Sequence, residues 1–141
     1  MRATVKTSCT AVALVALMCA AGEAQVSIQP GLYERVMEVD AGGSVGKNKD
    51  TICWSPADAK DVVKTIATVG KETECKVSDV KTAAGGKLTF NVSCKEGKGT
   101  TTTSNDVTYG PDWYTNVSKG KSDGAIVSQK VSAKRIGDCK K

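Results

Sequence analysis

Four cysteines follow the N-terminal apolar segment of this 141-residue sequence and are its most reactive side chains. They are Cys53, Cys75, Cys94 and Cys139. An even number of cysteines can pair completely, here in two disulfides. In a small domain that leaves the cytoplasm, four cysteines form disulfides in one of three pairings. A four-cysteine zinc site is disfavoured because the sequence has no C-x-x-C pair, so we expect no metal ion.

Histidine is absent from the sequence. This excludes Ser-His-Asp and Cys-His catalytic sites, imidazole zinc sites and the usual proton shuttle at neutral pH. Glu34 and Glu38 fall on one side of a predicted strand, but four strand residues separate them by roughly 13 Å, too far for the paired carboxylates of a glycosidase. We therefore expect no catalytic residue and no cofactor.

The first 24 residues have the pattern of a signal peptide. Two basic residues precede an apolar run, residues 10–22, which is too short to span a bilayer. Gly22 and Ala24 are small residues at the positions that signal peptidase requires for a cut before Gln25. The pattern predicts a periplasmic or secreted protein whose mature domain, residues 25–141, has no transmembrane segment.

A lipoprotein acylated on Cys19 is the less favoured alternative, because Met18 stands where a small residue is expected. Without the leader the chain keeps 18 basic and 14 acidic residues, a net charge of +4. This mild excess does not favour a nucleic-acid partner.

Two surface features could contact a ligand or a partner. Lys134 and Arg135, near the basic C-terminus, could meet phosphates or anionic envelope polymers, although a solubilising terminus is the simpler interpretation. Trp113 and Tyr114 follow a Pro-Asp turn and could line the rim of a pocket, with core packing as the simpler alternative.

Short alternating runs separated by glycine predict antiparallel strands. In "GLYERVMEVD" the alternation places Tyr33, Arg35, Met37 and Val39 on the core side. The polar, glycine-rich "AGGSVGKNKD" that follows predicts a loop over residues 41–50, which could be the tip of a hairpin that returns through residues 51–54.

One helix is expected over residues 56–69. Ser55 can cap it, Pro56 suits its first position, Asp58 completes a capping box, and Gly70 can stop it.

The segment "CKVSDVKTAAGGKLTFNVSC" predicts a hairpin and one disulfide. A turn centred between Ala84 and Gly85 places Cys75 directly opposite Cys94, within disulfide reach, and puts the apolar residues of the second strand on one face. By elimination Cys53 pairs with Cys139. The sequence thus predicts a mainly β, single small domain, which is an antiparallel curved sheet or partial barrel of about six to eight strands with one packed helix and two disulfides.

Four short motifs in this order resemble a known family. The stretches "PGLYE", "CWSPADA", "CKVSDVK" and "AKRIGDC" are similar to those of the bacterial domain-of-unknown-function family 3617. The resemblance covers nearly the whole mature chain and implies an exported bacterial protein without an established activity. Tyr33 replaces the tryptophan that is usual in the first motif, and the methionine-rich strands of many members are mostly Thr, Ser and Val here.

Three functions remain open at this point. The first is a non-catalytic envelope protein, either structural or binding a small or polymeric ligand, and binding requires a concave apolar cavity with a few inward polar groups. The second is an inhibitor or adaptor of another exported protein, as small disulfide-bonded β-barrels that block lysozyme are, which requires a protruding loop at residues 41–50 or 119–124. The third is an enzyme that relies on carboxylates, lysine or tyrosine.

Overall fold

The computed structural model describes residues 26–68, 74–122 and 124–140. The predicted signal peptide and the predicted helix stop at Gly70 lie outside these residues. Nine elements occur in the described ranges: β1 (Gly31–Ala41), β2 (Ser44–Trp54), α1 (Pro56–Lys60), α2 (Val62–Thr68), β3 (Cys75–Ala83), β4 (Lys87–Glu96), β5 (Gly99–Tyr109), β6 (Trp113–Ser122) and β7 (Ala125–Gly137). Neither helix is long and apolar enough to cross a membrane.

All seven strands belong to one antiparallel sheet, in the order β2-β1-β7-β6-β5-β4-β3. Strands β3 to β7 form a meander of consecutive hairpins, and β1 adds to the meander along β7. The edges of the sheet are therefore β2 and β3, which are the two strands that the helical segment connects. The predicted mainly β fold, an open curved sheet, is confirmed.

The hairpin that returns through residues 51–54 is present, but the loop predicted over residues 41–50 is wrong, because β2 already begins at Ser44. A two-residue turn with positive φ at Gly42 (64°) and Gly43 (91°) joins β1 to β2, as tight hairpins require. The polar character of this segment reflects its exposed strand face. Lysines of β2 there form ion pairs with glutamates of β1.

The single helix predicted over residues 56–69 is instead two short helices that break at Asp61. The predicted start is correct, with Ser55 and Asp58 forming a capping box. Asp61 leaves the helical conformation and its side chain accepts a hydrogen bond from the Lys64 backbone N–H at 3.0 Å, so it caps the second helix. Sequence periodicity does not reveal such a break, because the apolar stripe continues across it.

The register predicted for the β3–β4 hairpin is confirmed near its disulfide, where Cys75 faces Cys94. Their Cα atoms lie 4.1 Å apart. Closer to the turn the register shifts by one residue after Ser78, and Asp79 takes a positive φ of 53°. This bulge places two residues of the edge strand opposite one residue of β4.

The second disulfide joins Cys53, at the end of β2, to Cys139, directly after β7. Their Cα atoms lie 5.5 Å apart. The pairing obtained by elimination is therefore present in the structure. It ties the C-terminus to the residues that precede α1, and it closes a far longer loop than the hairpin disulfide does.

The core lies on the concave face of the sheet, beneath the helices. It consists of two groups of buried side chains that share Val62, Ile66 and Tyr109 at their border. One group is Ile28, Tyr33, Trp54, Tyr114, Val131 and Ala133, and the other is Ala67, Leu88, Phe90, Val92, Cys94 and Val107. The apolar face predicted for β4 is thus buried, as expected.

Two neighbouring glycines of the β3–β4 turn give a matched test of this packing. Both have positive φ, but a Cβ on Gly86 would lie 2.1 Å from the Tyr109 carbonyl oxygen, whereas a Cβ on Gly85 would meet nothing within 4 Å. We expect Gly86→Ala to lower the free energy of unfolding in urea by about 1–3 kcal/mol more than Gly85→Ala. Equal losses for the two variants would show that the turn does not dock against β5.

Candidate ligand cavity on the concave face

A cavity of about 520 Å³ lies on the concave face where the helices no longer cover it. Ile66 and Ala67 of α2 form one wall. Inward side chains of the strands form the floor, and they include apolar groups such as Val92 and Val131. The helices contain only five and seven residues, so they cover the apolar end of the sheet and leave the middle of its concave face open.

The register of the sheet explains which residues face the cavity. Arg35 pairs with Asp50 on β2 and with Ala133 on β7, which in turn pairs with Tyr114 on β6. Two residues after Tyr114, on the same face of β6, Asn116 lies opposite Val131 of β7. Because alternate residues of a strand share a face, the inward positions follow directly from the position of the buried tyrosine.

Arg35 and Asp50 form a bidentate ion pair at one side of the cavity. The Arg35 Nε donates to Asp50 Oδ1 at 2.8 Å, and its Nη2 donates to Oδ2. This hydrogen bonding lowers the pKa of the Asp50 carboxyl and raises the pKa of the Arg35 guanidinium. The pair therefore stays ionised, and each charge is neutralised by the other.

Three aromatic rings form a cluster, and two of them, Trp54 and Tyr114, line the cavity. The ring centroids of Trp54 and Tyr114 are 5.1 Å apart, and Tyr33 lies 5.8 Å from the first and 6.0 Å from the second. Burial raises the pKa of the Tyr114 hydroxyl, an effect that the nearby Arg35 opposes. Both Trp54 and Tyr114 line the cavity, so a bound molecule would contact the aromatic group directly.

A buried amide cluster forms the opposite side of the floor. Asn116 Nδ2 donates to Asn105 Oδ1 and to Ser118 Oγ, each at 3.2 Å, and Ser118 Oγ donates to Asn105 Oδ1 at 2.9 Å. Asn105 also donates to the Thr103 carbonyl oxygen at 3.3 Å. These polar side chains are buried and mutually bonded, which fixes their orientation toward the cavity.

The residues predicted to contact a ligand do not come together. Tyr114 lines the cavity, while its neighbour Trp113 lies on the convex face with 39% of its surface exposed. Lys134 is exposed opposite Trp113. Arg135 has a structural position, because its Nε donates to the Pro30 carbonyl oxygen at 3.0 Å and its Nη2 binds Asp138.

Other sequence candidates also lie away from the cavity. Glu34 and Glu38 form ion pairs with Lys49 and Lys47 at 3.0 and 3.1 Å on the convex face. The segment 41–50 comprises the β1–β2 turn and most of β2, and only its last residue, Asp50, reaches the cavity, while residues 119–122 form the end of β6. Within the described ranges, no three His, Cys, Asp or Glu side chains meet as a set of metal ligands.

Sequence reasoning did not assign the polar floor of the cavity. The missed residues are Asp50, Asn105, Asn116, Ser118 and Gln129. The stretch "WYTNVSKG" could have indicated two of them. Asn116 and Ser118 lie two and four residues after Tyr114, so in a strand they face the same side as this buried tyrosine. Asp50 offered no such signal, since it lies in the segment that the sequence predicts as a loop.

These features define a small, disulfide-bonded, single-sheet β protein with a partly uncovered concave face. The chain belongs to the family described as protein of unknown function DUF3617, whose model matches residues 28–139. The family resemblance drawn from the sequence motifs is therefore confirmed. Neither the curated proteins nor the solved structures give a significant match.

The Arg35–Asp50 pair makes a pH-dependent contribution to stability. Because the folded-state pKa of Asp50 is lowered, its contribution is present above the unfolded value of about 3.9 and is lost as pH falls through the folded pKa. We expect Asp50→Asn to be less stable than wild type at pH 7 and the difference to shrink between about pH 5 and pH 2.

Urea unfolding at a series of pH values measures this difference directly. Asp58, whose pKa is lowered by its hydrogen bonds with Ser55, is present in both proteins, so its effect cancels. Wild-type and variant stability curves that run parallel through the acid range would contradict the assignment of this ion pair.

Proposed function

We propose that this protein is an exported, non-catalytic protein of the bacterial envelope that binds a small ligand in the concave cavity. The cavity itself is the observation that carries the proposal. Its volume of about 520 Å³ falls within the range of about 300–1,000 Å³ that is typical of small-molecule sites. Its lining combines apolar side chains with a few oriented polar groups, which is the feature that a binding function requires.

The electrostatics of the cavity favour binding over catalysis. Asp50 is a carboxylate that faces the cavity, but Arg35 occupies both of its oxygens. A general base needs a pKa near the working pH, and this ion pair moves the pKa of Asp50 in the opposite direction. The sequence also provides no histidine that could act in its place.

Export is supported by the N-terminal leader pattern and by the two disulfides. Disulfides persist in oxidising compartments such as the bacterial periplasm. The Cys53–Cys139 and Cys75–Cys94 bridges hold together a single-layer sheet with few helical residues to cover it. A stable fold of this kind suits a compartment in which both bridges form.

Two adjacent residues of β7 provide a matched test of cavity binding. Gln129 lines the cavity, whereas Lys130 is exposed on the opposite face of the same strand. With the uncharged fluorescent probe N-phenyl-1-naphthylamine, we expect wild type to bind and Gln129→Phe to bind at least about tenfold more weakly, because the larger ring occupies the space. Lys130→Phe should stay within about twofold of wild type.

Circular dichroism of both phenylalanine variants controls for loss of the fold. Absence of probe binding to wild type, or equal binding by the two variants, would contradict the cavity as the site. A parallel screen of hydrolase substrates tests the non-catalytic claim. Reproducible turnover that a single carboxylate substitution abolishes would overturn that claim.

The mass of the protein isolated from the envelope fraction of its own bacterium tests export. We expect a chain that begins at Gln25, without a lipid and with both disulfides intact, because the small residues at 22 and 24 direct cleavage there. A chain that retains the leader, or one that begins at an acylated Cys19, would contradict this processing.

A further inference from the structure

We propose that the ligand of the concave cavity is an uncharged amphipathic molecule whose hydroxyl or amide group binds between Trp54 and Asn116. This inference rests on the proposed binding function and adds the chemical class of the ligand. Three properties of the cavity carry it: two buried polar atoms without partners, a charge pair that is already neutralised, and an apolar wall.

Trp54 Nε1 and Asn116 Oδ1 are the two buried side-chain polar atoms that lack a hydrogen-bond partner in the described part of the chain. Trp54 is 1% exposed and Asn116 is 6% exposed, and both residues line the cavity. The Tyr114 hydroxyl lies near the indole nitrogen but does not form a hydrogen bond of good geometry with it. Buried polar atoms in folded proteins normally have a partner, so this pair points to a bound group.

The two atoms are complementary in chemistry. The indole nitrogen only donates, and the amide oxygen of Asn116 only accepts. A hydroxyl or an amide can accept from the first and donate to the second, whereas an ether or a ketone can only accept. The Trp54 ring packs against Tyr114, which lies two residues from Asn116 on the same face of β6, and Trp54 and Asn116 line the same cavity.

The charges of the cavity disfavour an ionic ligand. Arg35 and Asp50 bind each other through two hydrogen bonds and leave no net charge. A carboxylate would have to compete with Asp50 for Arg35, and a cation would have to compete with Arg35 for Asp50. Either exchange would leave a partly buried charge without its partner, which is costly.

The rest of the lining fits an apolar body. Ile66, Val92 and Val131 present aliphatic side chains on different sides of the cavity, and the Met37 thioether lies beside Val131 across the sheet. A molecule with one polar group and a hydrocarbon portion would satisfy both regions of the lining. A fully polar molecule of the same size would place polar atoms against these aliphatic groups without partners.

Four probes with ten carbon atoms each test whether the cavity prefers an uncharged head group. At pH 7.5, 1-decanol and decanamide are uncharged, decanoate is an anion and decylammonium is a cation. Binding is measured by fluorescence in a Trp113→Phe protein, which keeps Trp54 as the single tryptophan. We expect 1-decanol and decanamide to bind at least about tenfold more tightly than the two ions. Decanoate or decylammonium binding as tightly as the alcohol would overturn the inference.

Two variants test the polar contact itself. Asn116→Leu removes the acceptor at similar volume and should weaken 1-decanol binding about fivefold or more, while Thr115→Leu on the opposite face of β6 should leave it unchanged. Trp54→Phe removes the donor and, measured by calorimetry, provides the same test if Asn116→Leu fails to fold. Unchanged 1-decanol affinity in a folded variant that lacks either atom would contradict the proposed contact.

These outcomes distinguish the two proposals. If neither N-phenyl-1-naphthylamine nor any decyl probe binds, the proposed function fails, and this inference fails with it. If probes bind without a preference for the uncharged pair, the cavity remains a binding site and only the ligand class is wrong.

Discussion

One open sheet has to bury its concave face with only five and seven residues of helix, and this constraint shapes the rest of the structure. The helical segment runs from one sheet edge, β2, to the other, β3, so it crosses the face once. Beneath it the inward residues are aromatic or aliphatic and pack tightly. The inward residues that lie beyond the helical segment are not covered by the described helices, and the cavity lies over this uncovered part of the concave face.

The polar residues of the cavity are a consequence of that partial cover. A wide exposed aliphatic surface would favour association with other chains, whereas a floor of amides and hydroxyls tolerates contact with water. Asn105, Asn116 and Ser118 satisfy most of their hydrogen bonds within their own cluster. The Arg35–Asp50 pair similarly brings two charges to the surface of the cavity without a net charge. Among the described residues, few buried hydrogen-bonding groups of the site are therefore left for a ligand, and they are the Trp54 Nε1 donor and the Asn116 Oδ1 acceptor.

Local patterns predicted the parts of the fold that depend on neighbouring residues. The cysteine spacing and the alternation of β4 fixed the register around Cys75 and Cys94, and the Ser55 capping box marked the start of the helical segment. The rest depends on contacts between distant strands. Asp50 faces the cavity because β2 pairs with β1 along its whole length, and the amide cluster forms because β5 and β6 align Asn105 with Ser118. The break at Asp61 also escaped prediction, since a single side chain caps the second helix there.

The central claim is that the concave cavity is the binding site, and the two tryptophans allow it to be tested in one NMR experiment. Trp54 lies in the cavity and Trp113 on the convex face. In nitrogen-15 spectra recorded during titration with 1-decanol, we expect the indole N–H resonance of Trp54 and the side-chain amide resonances of Asn116 to shift, while the Trp113 indole resonance stays in place. Shifts centred on Trp113 or on the edge strands β2 and β3, or no shift of Trp54 at saturating probe, would contradict the account.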